Sequence, residues 1–357
     1  MRRRTIGAIL LGLAVNFLLI GPYASLATFR RFGDFSSFYI GAQLGEARYD
    51  IPVVMETQKK ILSEVRPALM PTRLPFYYAL LWPIGRLRYP VAAALWTVVM
   101  IGCAVAAVLV DVNRDRLALA AAWAFSPLVF GIVDGQDVAL MCLVLGVGLR
   151  LRSAGRPFAA GLVLSLLAIK FHLFLLLPVA FVVMREFVLL RGALAGSAAL
   201  AGASFLAGGQ DWVMKYVHLL RNPAVSPGPN RMPNLHGLVA SLPHSGIIEA
   251  VLVALVSVFV LVTSSRRPEK GVAIALLGSF LVSFHAYSAD VAVIVPQLLA
   301  VFQARRSIAA LLCLAPIPYV YGAYGFGFVP AALIGIVLVQ EAGAAIFARK
   351  HCGTLRG

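Results

Sequence analysis

Charged residues are scarce in this chain. Asp, Glu, Lys and Arg account for 13% of its 357 residues, against roughly 25% in ordinary soluble domains. Hydrophobic residues account for 61%, more apolar surface than two soluble domains of this combined length could hide. Cysteine is scarce too. Cys103, Cys142 and Cys313 lie in apolar runs and Cys352 in a basic tail, a spacing that offers neither a disulfide framework nor a metal site. No internal repeat is visible, so a transporter built from two similar halves lacks support. Acidic residues number 15 against 31 basic ones, a net charge of +16. Most of that excess sits in the tails (Arg2, Arg3, Arg4; Arg349, Lys350, Arg356) and in five short loops. These hold Arg114/Arg116, Arg150/Arg152/Arg156, Arg185/Arg191, Arg266/Arg267/Lys270 and Arg305/Arg306. Basic residues confined to short loops between apolar runs follow the positive-inside rule, and no nucleic acid is needed to explain them.

Apolar runs recur from end to end: 5–28, 90–110, 117–133, 138–150, 157–169, 171–184, 187–207, 247–264, 271–284, 290–304, 308–321 and 328–347. The expected fold is therefore all-α, a single polytopic transmembrane domain over 1–357 with about twelve spans, several shorter than the ~20 residues of an upright crossing. Arg2–Arg4, the first run and Ser25-Leu26-Ala27 resemble a signal peptide. The run exceeds the usual length and the rest is polytopic, so a retained first span is expected. With the N-terminus cytoplasmic, alternation places the five basic loops and the C-terminal tail on the cytoplasmic side. The short loops opposite, 134–137, 170, 285–289 and 322–327, hold one basic residue, Lys170. Reading 157–184 as one span would turn Arg266/Arg267/Lys270 outward, so a hairpin broken near Lys170 is expected.

Two outer loops are long, 29–89 and 208–246. The first carries Val54, Ile61, Leu62 and Val65 on one helical face, an amphipathic helix for the membrane surface. Leu74–Gly85 follows, apolar but too short to span, and reads as a half-helix. The second loop, with Pro223, Pro227, Pro229 and Pro233, is expected to be irregular, mobile or substrate-gated.

This topology gathers Asp34, Gly135-Gln136-Asp137, Lys170, His172, His285 and Asp290 on the external face. Ionisable groups at membrane depth cost about 2.5–3.5 kcal/mol on insertion scales, which makes them functional candidates. Each has a plainer alternative. Asp34 could cap a helix starting at Phe35, and Asp50 one starting at Ile51. Lys170 could snorkel, His285 could be a satisfied interfacial histidine, and Asp290 could open the next helix. Asp134 and Asp137 read as loop polarity around Gln136. His218, His236 and His244 lack metal-like spacing.

Asp34-Phe35-Ser36-Ser37-Phe38-Tyr39 with Tyr49-Asp50 downstream resembles the first outer loop of glycosyltransferase family 87, membrane enzymes of the GT-C class that use polyprenyl-phosphate sugars. Leu74-Pro75-Phe76-Tyr77-Tyr78-Ala79 with Arg88-Tyr89-Pro90 is similar to its next segment. Gly135-Gln136 with Gly161 and Lys170 resembles its central signature, and His285-Ala286-Tyr287-Ser288-Ala289-Asp290 its late His-Asp turn. The resemblance covers about residues 30–300. Two positions depart from it: Asp137 stands where the family has Asn after Gly-Gln, and Phe171 where it has Pro after the lysine.

The resemblance implies a transferase moving a sugar, mannose in α-1,2 linkage by analogy, from a polyprenyl-phosphate donor to a lipid or glycan acceptor. An arabinofuranosyl or other donor stays open. It implies Asp34 as catalytic base assisted by His285, Lys170 and His172 at the donor phosphate, and Gln136 and Asp290 as positioning groups. Neither metal nor cofactor is expected, since Lys170 supplies positive charge and no carboxylate cluster offers a cage. The expected setting is the inner (plasma) membrane, both termini cytoplasmic, with the site on the periplasmic or external face. A transporter or flippase, or a non-enzymatic assembly subunit, is the rival class.

Overall fold

The computed structural model describes residues 2–20, 33–67, 69–111, 116–222, 225, 228–305 and 307–353. Residues 21–28 of the expected first span, Arg30, Arg31, Pro223 and Pro227 lie outside the described residues. What is described is helical, with no strand. Among the described residues, four stretches are long and apolar enough to cross a membrane: Tyr89–Val108, Pro157–Phe174, Phe187–Gly208 and Ser245–Arg266. Ile6–Leu18, Ser288–Ala304 and Phe328–Gly343 are shorter apolar helices. Only 6% of the apolar window in Ser245–Arg266 is buried, and Leu206, Phe17 and Ile308 project outward. Such bare apolar surface marks a multi-pass membrane protein.

Several runs that read as single spans are broken helices. The run 117–133 forms Arg116–Ala124 and Ser126–Val133, interrupted at Phe125, which is extended ahead of Ser126-Pro127. The run 308–321 forms Ile308–Leu314 and Ile317–Ala323, parted at Ala315-Pro316. Pro316 drives Ala315 out of the helical region, and Pro127, having no N–H, cannot bond back to the carbonyl of Trp123 one turn earlier.

The break near Lys170 is present. Helix α1 (Pro157–Leu164) runs into a 3-10 stretch, Ser165–Phe174, in which Lys170 alone is non-helical (φ −129°, ψ 52°). Helix α2 (Leu176–Val183) and helix α3 (Phe187–Gly208) follow, joined through Arg185 at φ 62°. A Cβ at Gly161 would lie 2.0 Å from the Leu189 carbonyl oxygen, one at Gly192 2.1 Å from that of Phe158, and one at Gly196 2.2 Å from Ser165 Oγ. From Phe158 against Gly192 to Ser165 against Gly196 the contacts move the same way along both segments, so α1 and α3 run parallel and the chain must reverse between them. Glycine lets the backbones meet this closely.

This reversal gives the molecule two chemically distinct ends. At one, Arg152 pairs with Glu186 (2.6 Å) and Lys270 with Glu341 (3.0 Å), tying basic turns together. The candidate site residues lie at the other. There Asp50 caps the helix Ile51–Leu62, accepting from the Val53 N–H at 3.3 Å. That helix ends sooner than its apolar pattern suggested, because Ser63 turns left-handed (φ 61°) and Val65 falls beyond it. Its buried face centres on Val54 and Gln58. Gln58 donates to the carbonyls of Arg66 (3.2 Å) and Leu69 (2.7 Å) and accepts from the Arg66 N–H (2.8 Å), folding the following loop back.

The segment expected to be a half-helix forms the helix Pro75–Gly85, about 16 Å long at 1.5 Å per residue and so shorter than a bilayer crossing. Buried Arg48 anchors it, donating to the carbonyls of Pro75 (3.0 Å) and Ala207 (2.9 Å). The segment 208–246, expected to be the second outer loop, is more ordered than its proline content suggested. It contains helices Trp212–Leu220 and Leu235–Val239 with a 3-10 turn, Pro229–Arg231, between them. Asn234 donates to the Ser283 carbonyl (2.7 Å) and the Gly327 N–H to that of Asn230 (2.9 Å), fastening the loop over the 283–287 turn. Pro229 starts its own turn, so it organises the loop instead of disordering it.

Candidate active site

Three tyrosines fix the chain just before the half-helix. Tyr49 donates to the Arg73 carbonyl (2.6 Å) and Tyr216 to that of Thr72 (3.1 Å), while the Arg73 N–H donates to Tyr78 Oη (3.0 Å). With its backbone clamped, Arg73 reaches across to Asp137 through two bonds, Nε to Oδ2 at 2.8 Å and Nη2 to Oδ1 at 3.1 Å. Its guanidinium lies 5.1 Å from the Phe38 ring centre, and both members of the pair are buried. Burial alone would raise the Asp137 pKa, but the Arg73 and Lys170 charges and their hydrogen bonds pull it well below the usual carboxylate range. The expectation that Asp137 is loop polarity is therefore wrong. It is the anionic centre of a buried network.

Lys170 enters this network at the helix break. Its Nζ donates to Gln136 Oε1 (2.8 Å) and to Asp290 Oδ1, and lies 3.3 Å from Asp137 Oδ1. An ammonium has three N–H bonds; two go to Gln136 and Asp290, and the charge pairs with Asp137 on the third side. Snorkelling is ruled out by this inward direction. Asp290 also accepts the Tyr287 N–H at 2.9 Å, starting the 3-10 turn Ser288–Ile294. Its helix-opening role and its contact with Lys170 thus coexist. Gln136 hangs from a tight turn in which Gly135 adopts φ 73°. A Cβ on Gly135 would come within 2.6 Å of Phe35 Cβ, so only glycine fits.

Asp34 precedes the helix Phe35–Gln43 but its side chain makes no capping bond. Its N–H donates to the Asp134 carbonyl at 2.9 Å, and its half-buried carboxylate makes no hydrogen bond among the described residues. Burial raises its pKa to about 6, held from rising further by Lys170 and Arg73. Asp134 rises to about 8, through burial and the nearby Asp34 charge. His285 stacks edge-on against Tyr287 (ring centres 5.0 Å apart) and against His172 (5.8 Å). Burial lowers its pKa, leaving a neutral imidazole near pH 7. His172 Nε2 is buried with no hydrogen-bond partner among the described residues.

Five of the six candidates therefore meet in two groups. Gln136, Lys170 and Asp290 touch directly, and His172 and His285 touch through their rings. Asp34 joins them through the Asp134 backbone and the fields of Lys170 and Asp290. Sequence reasoning missed Arg73, Asp134 and the true role of Asp137. One signal was available: Asp137 replaces a neutral Asn, and a new buried carboxylate needs a cation, which Arg73 beside the half-helix provides.

Chemically, the site offers a free carboxylate that ionises near neutrality, a neutral imidazole, and cations locked by their own carboxylates. No curated protein and no solved structure matches the chain. The sequence model of glycosyltransferase family 87 matches residues 74–287, more than half of the chain, which includes Asp134, Gln136, Asp137, Lys170, His172 and His285 but not Asp34, Arg73 or Asp290. The chain belongs to glycosyltransferase family 87 and is a membrane glycosyltransferase.

Proposed function

We propose that this enzyme transfers a sugar from a polyprenyl-phosphate donor to a lipid or glycan acceptor, with mannose in α-1,2 linkage as the transfer the family analogy favours. The supporting observation is the Asp34 carboxylate, unbonded among the described residues and half-buried beside a network in which Asp137 and Asp290 are held by Arg73 and Lys170. A group left without a partner in such surroundings is available to one that arrives with the substrate.

In this reading Asp34 accepts the proton of the acceptor hydroxyl as its oxygen attacks the anomeric carbon. The bond from that carbon to the phosphate oxygen breaks, and the lipid phosphate departs with the electron pair. Lys170 meets the departing phosphate by exchanging its longest contact, that to Asp137, because the Arg73 fork keeps Asp137 satisfied meanwhile. His172 offers a ring nitrogen to the phosphate, His285 assists the base, and Gln136 and Asp290 hold Lys170 in place. The lipid tail lies along the apolar flank of the half-helix.

The direct test is transfer by the purified enzyme from labelled polyprenyl-phosphate sugars to membrane lipids. Transfer identifies the sugar, and no turnover with any such donor rejects the reading. Lys170→Met keeps the chain length but should raise the donor KM at least tenfold, about 1.4 kcal/mol. An unchanged KM would place the phosphate elsewhere.

We also propose that both termini are cytoplasmic in the plasma membrane and the site external, since the basic turns gather at the opposite end. Cysteines at Lys215 and Glu269 should be labelled from opposite faces, the first from outside. Labelling of Lys215→Cys from the cytoplasm alone would invert the arrangement.

A further inference from the structure

Asp134 has no place in the chemistry above, yet its position is unusual. Its carbonyl holds the N–H of Asp34 at 2.9 Å. Its side chain folds back onto the same strand of chain: a Cβ at Gly33 would lie 1.9 Å from Asp134 Oδ1. Only the absent side chain of Gly33 admits the carboxyl there. The neighbouring carboxylates are each held by a cation, Asp137 by Arg73 and Lys170 and Asp290 by Lys170. Neither Asp34 nor Asp134 has an ion pair or side-chain hydrogen bond among the described residues. The Asp134 carboxyl thus lies against the residue next to Asp34, and two unpaired carboxyl groups brought near each other in a poorly solvated place repel when both ionise and retain a proton.

We propose that Asp34 and Asp134 form a one-proton pair, with the proton carried on Asp134 and turned toward the Asp34 carboxylate, which makes Asp134 a positioning residue for the base. This rests on the assignment of Asp34 as base. Asp34 takes the hydroxyl proton, so the pair passes from one proton to two and releases one to water before the next turnover. Asp134 never needs to touch the substrate. Its proton keeps the pair from presenting two anions to a donor that is itself anionic.

The charges facing the pair agree with this division. Asp34 feels Lys170 and Arg73, with Asp290 and Asp137 opposing, whereas Asp134 feels Arg66 and Lys170 more weakly than it feels burial and Asp34. Tyr287, on the turn beside the pair, is held neutral chiefly by burial, which outweighs the nearby Arg231. The cations thus favour ionisation of Asp34 and leave the remaining proton to Asp134. The two losses fall near pH 6 and pH 8, and as a coupled pair they appear as two separate steps.

The experiment is a pH–rate profile of sugar transfer for the wild type and Asp134→Asn, with infrared spectra of the full-length protein labelled with carboxyl-13C aspartate. The wild-type rate should climb about tenfold per pH unit up to about 6 and fall above about 8, a bell set by the pair. Asp134→Asn, which cannot lose a proton, should keep the rising limb and lack the falling one. In the infrared, a protonated aspartate band should persist at pH 7 in the wild type and vanish in Asp134→Asn. Survival of the falling limb or of the band in that variant overturns the proposal while leaving the base assignment intact. Absence of transfer by the wild type would remove the proposed function, and the infrared band would still decide the pair. Should Asp134→Asn fail to fold, Asp34→Asn serves instead. Removing the Asp34 charge should move the midpoint of the Asp134 band down by about one pH unit, and an unmoved midpoint rejects the pair.

Discussion

Asp34→Asn should reduce kcat for sugar transfer by about 10²–10⁴-fold, the range of a general base. Asparagine keeps the shape and the hydrogen-bonding capacity of the side chain but cannot take a proton. Donor KM should change little, because the phosphate contacts assigned to Lys170 and His172 are separate. The structure sharpens the comparison with a capping role. A helix does start at Phe35, but the Asp34 side chain makes no bond to its N-terminus, so helix stability should barely respond. The melting temperature and the rate should therefore separate, with rate lost and stability kept. If the purified variant transfers sugar within a few-fold of the wild type, the base lies elsewhere. His285 would then be next, because Asp290 is engaged by Lys170 and the Tyr287 N–H.

The largest loss of stability is expected at Arg73. Arg73→Met fills similar space but leaves the buried Asp137 with Lys170, 3.3 Å away, as its remaining ion-pair partner among the described residues. Removing one partner of a buried ion pair costs about 3–5 kcal/mol, since the remaining charge stays desolvated. Thermal unfolding in detergent should show the drop. Asp137→Asn introduced into Arg73→Met should recover a large part of it, because the orphaned charge is then gone. Recovery is the decisive result: a cost that persists undiminished in the double variant would mean that Arg73 works through packing, chiefly against Phe38, and not through Asp137. The same pair explains how a carboxylate can stand where the family has a neutral residue. Arg73 neutralises it, which spares Lys170 from serving two carboxylates alone.

The membrane character of the chain was legible from composition, and so was the separation of basic turns from the candidate site. Both are properties of individual residues in solvents of different polarity, and neither needs partners to be known. The cap at Asp50, a helix opening at Pro75 and the break at Lys170 were legible too, since proline, capping groups and charge alternation act over a few residues. Span integrity was less so. The runs at 117–133 and 308–321 look continuous in hydropathy, yet each contains a break at proline, and apolarity alone does not report it. What only the tertiary structure decided was which charge meets which. Arg73 and Asp137 are 64 positions apart, Lys170 and Asp290 120, and nothing local couples them. Asp134 and Asp137 sit three residues apart in one turn and look alike in sequence. One faces a guanidinium and the other faces Gly33 and a second carboxylate, so one is held ionised and the other keeps its proton. A side chain's charge state depends on the field and solvation at its folded position, and those arise only when distant segments pack together.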